Sequence, residues 1–329
     1  MEPEDEHDDD DDNNDGAGNK GSSLLGTVPD LERHHHDDAI PYDQSYNESE
    51  KANGVLVMII YSHQLQSARE TIRQIQDRFN RNHRYPWLIL SPLPLSPRSQ
   101  RHIQDLTKES TMTFGTIPHE QWRLPTWIEA GRVRNGDYAK MKYGMNKTSL
   151  AVRHKWRYAS GFLAQHPLLD SYEIFWRIDP GVDIYCDLEE DPMLALAKSG
   201  KKFGWSLSST ANEAGIPDAW SIIQKFRTEF PQLIPEVNDE TFLTKGSGDA
   251  FSGCTYGVQN SIARLDFLRS PAYLSYFTFI DQDGPIYYHK WDDATVITIG
   301  LSLLAPRTDQ LFLTQLGWGF LDSSSSSVA

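Results

Sequence analysis

Apolar positions outline the folded part of the chain before any motif does. Gly54–Tyr61, GVLVMIIY, is almost wholly apolar and rich in β-branched residues, the pattern of a strand covered on both faces. Over residues 65–80, Ala68, Ile72, Ile75 and Phe79 recur at helical spacing and predict an amphipathic helix. PWLILSPLP, from Pro86, is a second strand stopped by prolines. Strand, helix, strand at this spacing is a βαβ unit and predicts a parallel sheet. Residues 96–112 are polar and read as helix. Residues 118–130 read as loop, and 148–165 as a helix with Phe162 and Leu163 on its buried side. A short strand is expected at 202–208, and an amphipathic helix over 217–230 carries Trp220, Ile223 and Phe226. Residues 244–260 are rich in Gly and Ser without periodicity, so a loop near a site or an irregular crossover is expected there. Tyr287–Ala305 ends in a strongly apolar segment expected to be helical.

One stretch joins burial to acid. Tyr172–Pro192, YEIFWRIDPGVDIYCDLEEDP, places Asp179, Asp183 and Asp187 around a Pro-Gly turn between two apolar runs. A buried strand delivers carboxylates to its end in this way, and such carboxylates can hold a hard divalent cation that binds phosphate. An acidic loop after a strand reads equally well from these residues. Arg153 and Arg157 are four apart and share a helix face; paired guanidiniums suit a diphosphate or sugar-phosphate, and a solvated basic face is the alternative. Asp292 and Asp293 stand at a helix start, where the dipole favours acids, and they could also face a site. No GxGxxG or GxxxxGK[ST] follows the first strand, which disfavours a dinucleotide fold or a P-loop.

Composition narrows the classes. The net charge is -15, but residues 1–50 hold 17 Asp/Glu against 2 Lys/Arg, leaving 29 of each for the rest. The acidity therefore belongs to a tail expected to be disordered, in which His34, His35 and His36 read as part of a solvated run. A balanced body gives no electrostatic case for nucleic acid. Two cysteines, Cys186 and Cys254, exclude a structural multi-cysteine zinc site; one disulfide or two isolated thiols are both open. Asn47 and Asn146 head N-glycosylation patterns, which permit a secretory route. With no apolar run of membrane-spanning length and an acidic N-terminus, neither a span nor a signal peptide is expected.

Several long blocks, in order, carry a resemblance. They are IRQIQDRFNRNHRYPW (72–87), GTIPHEQWRLPTWIE (115–129), RHKWRYASGFLAQHPLL (153–169), YEIFWRIDPGVDIYCDLEEDP (172–192), LDFLRSPAYLSYFTFID (265–281), YYHKWDDATVITIGLSLLAPR (287–307) and QLFLTQLGW (310–318). From about Gly54 to Phe320 the chain resembles the fungal α-1,2-mannosyltransferases of glycosyltransferase family 15. The resemblance implies a GT-A-like α/β fold, with a mixed, mainly parallel central sheet flanked by helices. It sets a transferase domain at 51–322 between the acidic tail, 1–50, and a Ser-rich tail, 323–329, also expected to be disordered. It further implies GDP-mannose as donor, Mn²⁺ as cofactor, retention of configuration, and a mannose-ended N- or O-glycan as acceptor. The family's place is the lumenal side of the Golgi, held by an N-terminal anchor; here an acidic tail stands where that anchor is expected.

Residue by residue, the resemblance makes Asp179 the metal carboxylate, with help from Asp183 or water, in a segment where the family carries Glu. Arg153 and Arg157 become candidates for donor or acceptor binding, and Asp293 the carboxylate near the reacting carbon. Ser261 occupies the position of the family's candidate nucleophile, a Glu, and Phe320 that of its metal-binding His. Tyr61 and Val152 replace a family Arg and Tyr. Two readings follow: a mannosyltransferase, or a catalytically impaired paralogue that keeps the fold and binds glycan or partner transferases.

Overall fold

In a computed structural model of the chain, the structure describes residues 50–134, 148–210, 216, 218–245, 248, 250–289, 291–314, 316 and 318–320. The acidic tail up to residue 49, the Ser-rich tail, Asn47 and Asn146 lie outside the described residues. The strands in chain order are β1 (Gly54–Ile59), β2 (Trp87–Ser91), β3 (Met112–Thr116), β4 (Ile174–Ile178), β5 (Val182–Ile184), β6 (Phe203–Trp205), β7 (Ser208–Thr210), β8 (Thr244–Lys245), β9 (Ala250–Phe251), β10 (Cys254–Tyr256), β11 (Asn260–Arg264), β12 (Gln310–Phe312) and β13 (Trp318–Phe320).

Seven of them form one sheet in the order β12-β6-β11-β4-β1-β2-β3. β1, β2, β3 and β4 run parallel, as the βαβ pattern requires, and β12 runs parallel to β6. β11 is antiparallel to both β4 and β6, so the sheet is mixed and mainly parallel. This is the GT-A-like architecture expected.

Every residue of β1, β2 and β4 is buried, because apolar cores cover both sheet faces. Alternation divides them: Val55, Val57, Ile59 and Phe175 enter one core, while Leu56, Met58, Trp176 and Ile178 enter the other. The second core takes Ile72 and Ile75 of helix Leu65–Ile75 and Met193 and Leu196 of helix Pro192–Ser199. Helices Pro271–Asp283 and Asp293–Leu304 cover the first face. All 12 residues of helix Asp293–Leu304 are buried, so it is apolar all round rather than amphipathic. Each of Val296, Ile299, Leu301 and Leu303 contributes roughly 1.5–3 kcal/mol by leaving water.

Two expectations change. The polar stretch 96–112 is helical only over Pro97–Gln104 and then enters the edge strand β3. The aperiodic region before 260 runs into β11, a central strand of sequence NSIAR. It escapes pattern reading because polar residues are buried in it: Trp176 Nε1 donates to Asn260 Oδ1 at 2.6 Å, and Ser261 Oγ donates to the Val258 carbonyl at 2.9 Å. Cys186 and Cys254 do not form a disulfide with each other.

Candidate active site

β4 ends at Ile178 and leaves Asp179 at the carboxyl end of a fully buried strand. Gly181 then takes a φ of 90°, which L side chains rarely adopt, so the turn that stops the strand needs glycine. Thr71 clamps this turn, accepting from Gly181 N at 3.0 Å and donating to the Val182 carbonyl at 2.9 Å.

Arg177, two residues before Asp179, reaches the carboxylate with two parallel bonds of 3.0 Å, Nε to Oδ1 and Nη2 to Oδ2. The same Nη2 forms an ion pair of 2.6 Å with Asp293 Oδ2. Lys155 Nζ donates to Asp179 Oδ2 at 2.8 Å. The four side chains thus alternate in sign, and their exposures fall in sequence: Lys155 13%, Asp179 9%, Arg177 3%, Asp293 2%. Burial pushes the Asp179 carboxyl up, but Arg177 and then Lys155 outweigh it and hold the group at about 2. Burial opposes the charge on Arg177 as well, and Asp179 and Asp293 raise its pKa above the usual guanidinium value.

Asp293 owes its place to a helix start. Asp292 is the N-cap, accepting from Thr295 N at 2.7 Å, and Asp293 is the first helical residue. Burial and the charge of Asp293 raise the pKa of Asp292. The dipole reading of this acid pair holds, and Asp293 also reaches the site through Arg177.

The helix Leu150–Arg157 carries Lys155 and is fixed at four points. Tyr61, at the end of β1, donates its hydroxyl to the Ala151 carbonyl at 2.6 Å. Arg153 Nη1 donates to the Tyr287 carbonyl and His154 Nδ1 lies against the Tyr287 hydroxyl, both at 2.9 Å. Arg157 grips Asp281 through Nε at 2.6 Å and Nη2 at 2.8 Å. This corrects the expectation for Arg153 and Arg157: they share a face, but both are buried and bonded to protein, so neither is a solvated patch nor presented to a phosphate. Asp183 is corrected likewise. Its Oδ1 accepts from Gln74 of helix Leu65–Ile75, and it shares no partner with Asp179. Asp187 pairs with Arg78, and Asp191 caps helix Pro192–Ser199.

Ser261 lies directly across from Arg177 in the β11–β4 register. Its hydroxyl is buried and bonded to a backbone carbonyl, with no carboxylate or imidazole on it among the described residues. Backbone register also places Phe320 opposite Val182, three residues past Asp179. The reading of the residues overlooked Arg177 and Lys155. The i, i+2 spacing to Asp179 in a strand was the available signal for Arg177. For Lys155 there was only its place on the helix face away from Arg153 and Arg157.

Comparison with known proteins matches residues 19–325 to a family model described as glycolipid 2-alpha-mannosyltransferase. The chain belongs to this family. It is 34% identical over 261 residues to Mannosyltransferase KTR6 of Saccharomyces cerevisiae, covering 76% of this chain and 58% of that protein. It is 33% identical over 272 residues to Alpha-1,2 mannosyltransferase KTR1 of the same yeast, covering 82% and 68%. Among solved structures, core-mannan synthase A of Aspergillus fumigatus in its Mn/GDP form superposes with a TM-score of 0.79 at 24% identity, covering 84% of this chain and 76% of that one. Ktr4p of S. cerevisiae in complex with GDP gives 0.78 at 24%, covering 82% and 71%. These likenesses bear out the fold.

For this glycolipid 2-alpha-mannosyltransferase family member the fit of a cation can be tested on its own residues. Among the described residues no group of three or more His, Cys, Asp or Glu converges. Asp179 offers a single carboxylate. That suits a hard cation which completes its shell with water and substrate phosphate, once Lys155 releases Oδ2.

Proposed function

We propose that the chain is a retaining α-1,2-mannosyltransferase that moves mannose from GDP-mannose to a mannose-ended glycan in protein glycosylation. The observation that carries this reading is Asp179, held ionised at the carboxyl end of β4, with the cationic Lys155 at its outer side. Open α/β sheets bind their ligands at the carboxyl ends of strands. Manganese, when bound, neutralises the leaving diphosphate, and Asp179 would hold it. Arg177 keeps the carboxylate in place and ionised, and Asp293 keeps Arg177 in place; both are positioning residues. Ser261 takes no part in proton transfer, so the bond from the anomeric carbon to GDP breaks and the bond to the acceptor oxygen forms on one face without a covalent enzyme intermediate, the acceptor hydroxyl giving its proton to the departing diphosphate oxygen. Lumenal Golgi placement is part of the same proposal and rests on the family resemblance. No helix among the described residues is long and apolar enough to cross a membrane.

The protein is incubated with GDP-mannose, Mn²⁺ and α-methyl mannoside, and the product is read by NMR. An α-1,2-linked dimannoside is expected; absence of both transfer and GDP release overturns the reading. Loss of mass at Asn47 or Asn146 on glycosidase treatment of the expressed protein checks passage through the secretory route.

A further inference from the structure

The Lys155–Asp179–Arg177–Asp293 series contains two cations and two anions, so it is neutral as it stands. Arg177 already engages both oxygens of Asp179, and its guanidinium is tied to Asp293 as well. Lys155 therefore supplies the second cation that brings the two carboxylates to neutrality, and it does so from the outer side of Asp179. Its ammonium makes no other hydrogen bond among the described residues. It is the most exposed of the four, and its helix is fixed through Ala151, Arg153, His154 and Arg157. The backbone is held, and only the flexible four-carbon stem is at liberty to swing.

We infer that Lys155 is an exchangeable counter-ion: its ammonium holds the cation seat on Asp179 Oδ2 in the free protein, and it cedes that seat to a divalent cation and turns to an anionic oxygen of the nucleoside diphosphate. This rests on the proposed role of Asp179. Charge explains the device. A divalent cation arriving alone adds two positive charges beside Lys155 and Arg177, and is disfavoured. Arriving with a nucleoside diphosphate, it meets compensating negative charge, and the displaced ammonium gains a phosphate partner. Metal and nucleotide thus bind with positive coupling, which is reciprocal. The free protein is kept from loading metal without a donor.

The experiment is a Mn²⁺ titration followed by the electron paramagnetic resonance of free Mn²⁺, with and without GDP, on the wild type, Lys155→Met and Asp179→Asn, with thermal melts to confirm folding. In the wild type GDP is expected to tighten Mn²⁺ binding by about tenfold or more, within the usual range of coupling between sites. In Lys155→Met, Mn²⁺ alone should bind about tenfold tighter than in the wild type, and the effect of GDP should shrink correspondingly. Asp179→Asn should lose Mn²⁺ binding in both conditions. If Lys155→Met leaves the affinity for Mn²⁺ alone unchanged or weaker, the exchange is overturned while the role of Asp179 stands. If the wild type takes up no Mn²⁺ even with GDP, both fall.

Discussion

At the scale of single residues, the site is a problem of stored charge. Arg177 and Asp293 are both buried and face each other at 2.6 Å, so neither tolerates loss of the other. Asp293→Asn is expected to cost about 3 kcal/mol in urea denaturation, the range for breaking a buried pair from one side. Lys155→Met should cost less than Asp293→Asn, about 1–2 kcal/mol, since Arg177 still bonds both oxygens of Asp179. Ser261→Ala removes one hydroxyl bond to a backbone carbonyl, and should lower stability by about 1 kcal/mol while preserving transfer. Loss of transfer in that variant, with folding intact, would count against a mechanism without a nucleophile at 261. Acid sensitivity has two sources of the same sign. The Asp179 carboxyl is at about 2 in the fold against 3.8 unfolded, so its contribution is present above 3.8 and is lost as pH falls toward 2. The imidazole of His154 is lowered to about 4 by burial, Arg157 and Arg153, so the fold favours its neutral form and loses that stability as pH falls from 6.5 to 4. His154→Gln should flatten the dependence of Tm on pH in that upper window and leave the lower one unchanged. Asp179 and Asp293 were legible in the sequence because strand ends and helix starts are where acids are read. Lys155 was not, because its partner lies 24 residues further on, in another element, and local spacing carries no trace of it.

At the scale of elements, the buried helices are positioned by close approaches and ion pairs. Beyond Arg157 the helix continues through one π turn, Tyr158–Phe162, which brings Gly161 against the ring of Phe277. A Cβ at Gly161 would fall 2.0 Å from Phe277 ring carbons, so Gly161→Ala cannot be accommodated unless the Phe277 ring, or the helix Pro271–Asp283 that carries it, moves. The expected cost is about 1–3 kcal/mol by chemical denaturation, and a neutral result would show that this helix pair yields easily. The same two helices are joined by Arg157 and Asp281, which explains why the arginine that looked available for a phosphate is not. The two strands first read from apolar runs, and the amphipathic helix between them, are found as expected, because burial on both faces writes itself into composition. β11 was hidden for the opposite reason. Its Asn260 is bonded by Trp176 of the neighbouring strand, a partner that only the assembled sheet provides, while Ser261 turns to the Val258 carbonyl three residues back.

At the scale of the whole molecule, two apolar cores on either side of one mixed sheet account for the described body, and the acid excess of the sequence falls ahead of it. The sheet order has a further bearing. β4, which ends at Asp179, lies between β1 and β11, and β11 is followed only later by the helix that supplies Asp293 and by β12, which completes the far edge. A ribosome adding about 5–20 residues per second leaves the β4 edge of the parallel strands β1 to β4 uncovered for several seconds before β11 emerges to pair with it. During that interval Arg177 has no Asp293, and the strand that will carry the chemistry is open to pairing with another nascent chain. The late antiparallel strand is thus also a closing piece for biosynthesis, and yield on expression should depend on translation pauses placed between Ile184 and Asn260 more than on pauses elsewhere.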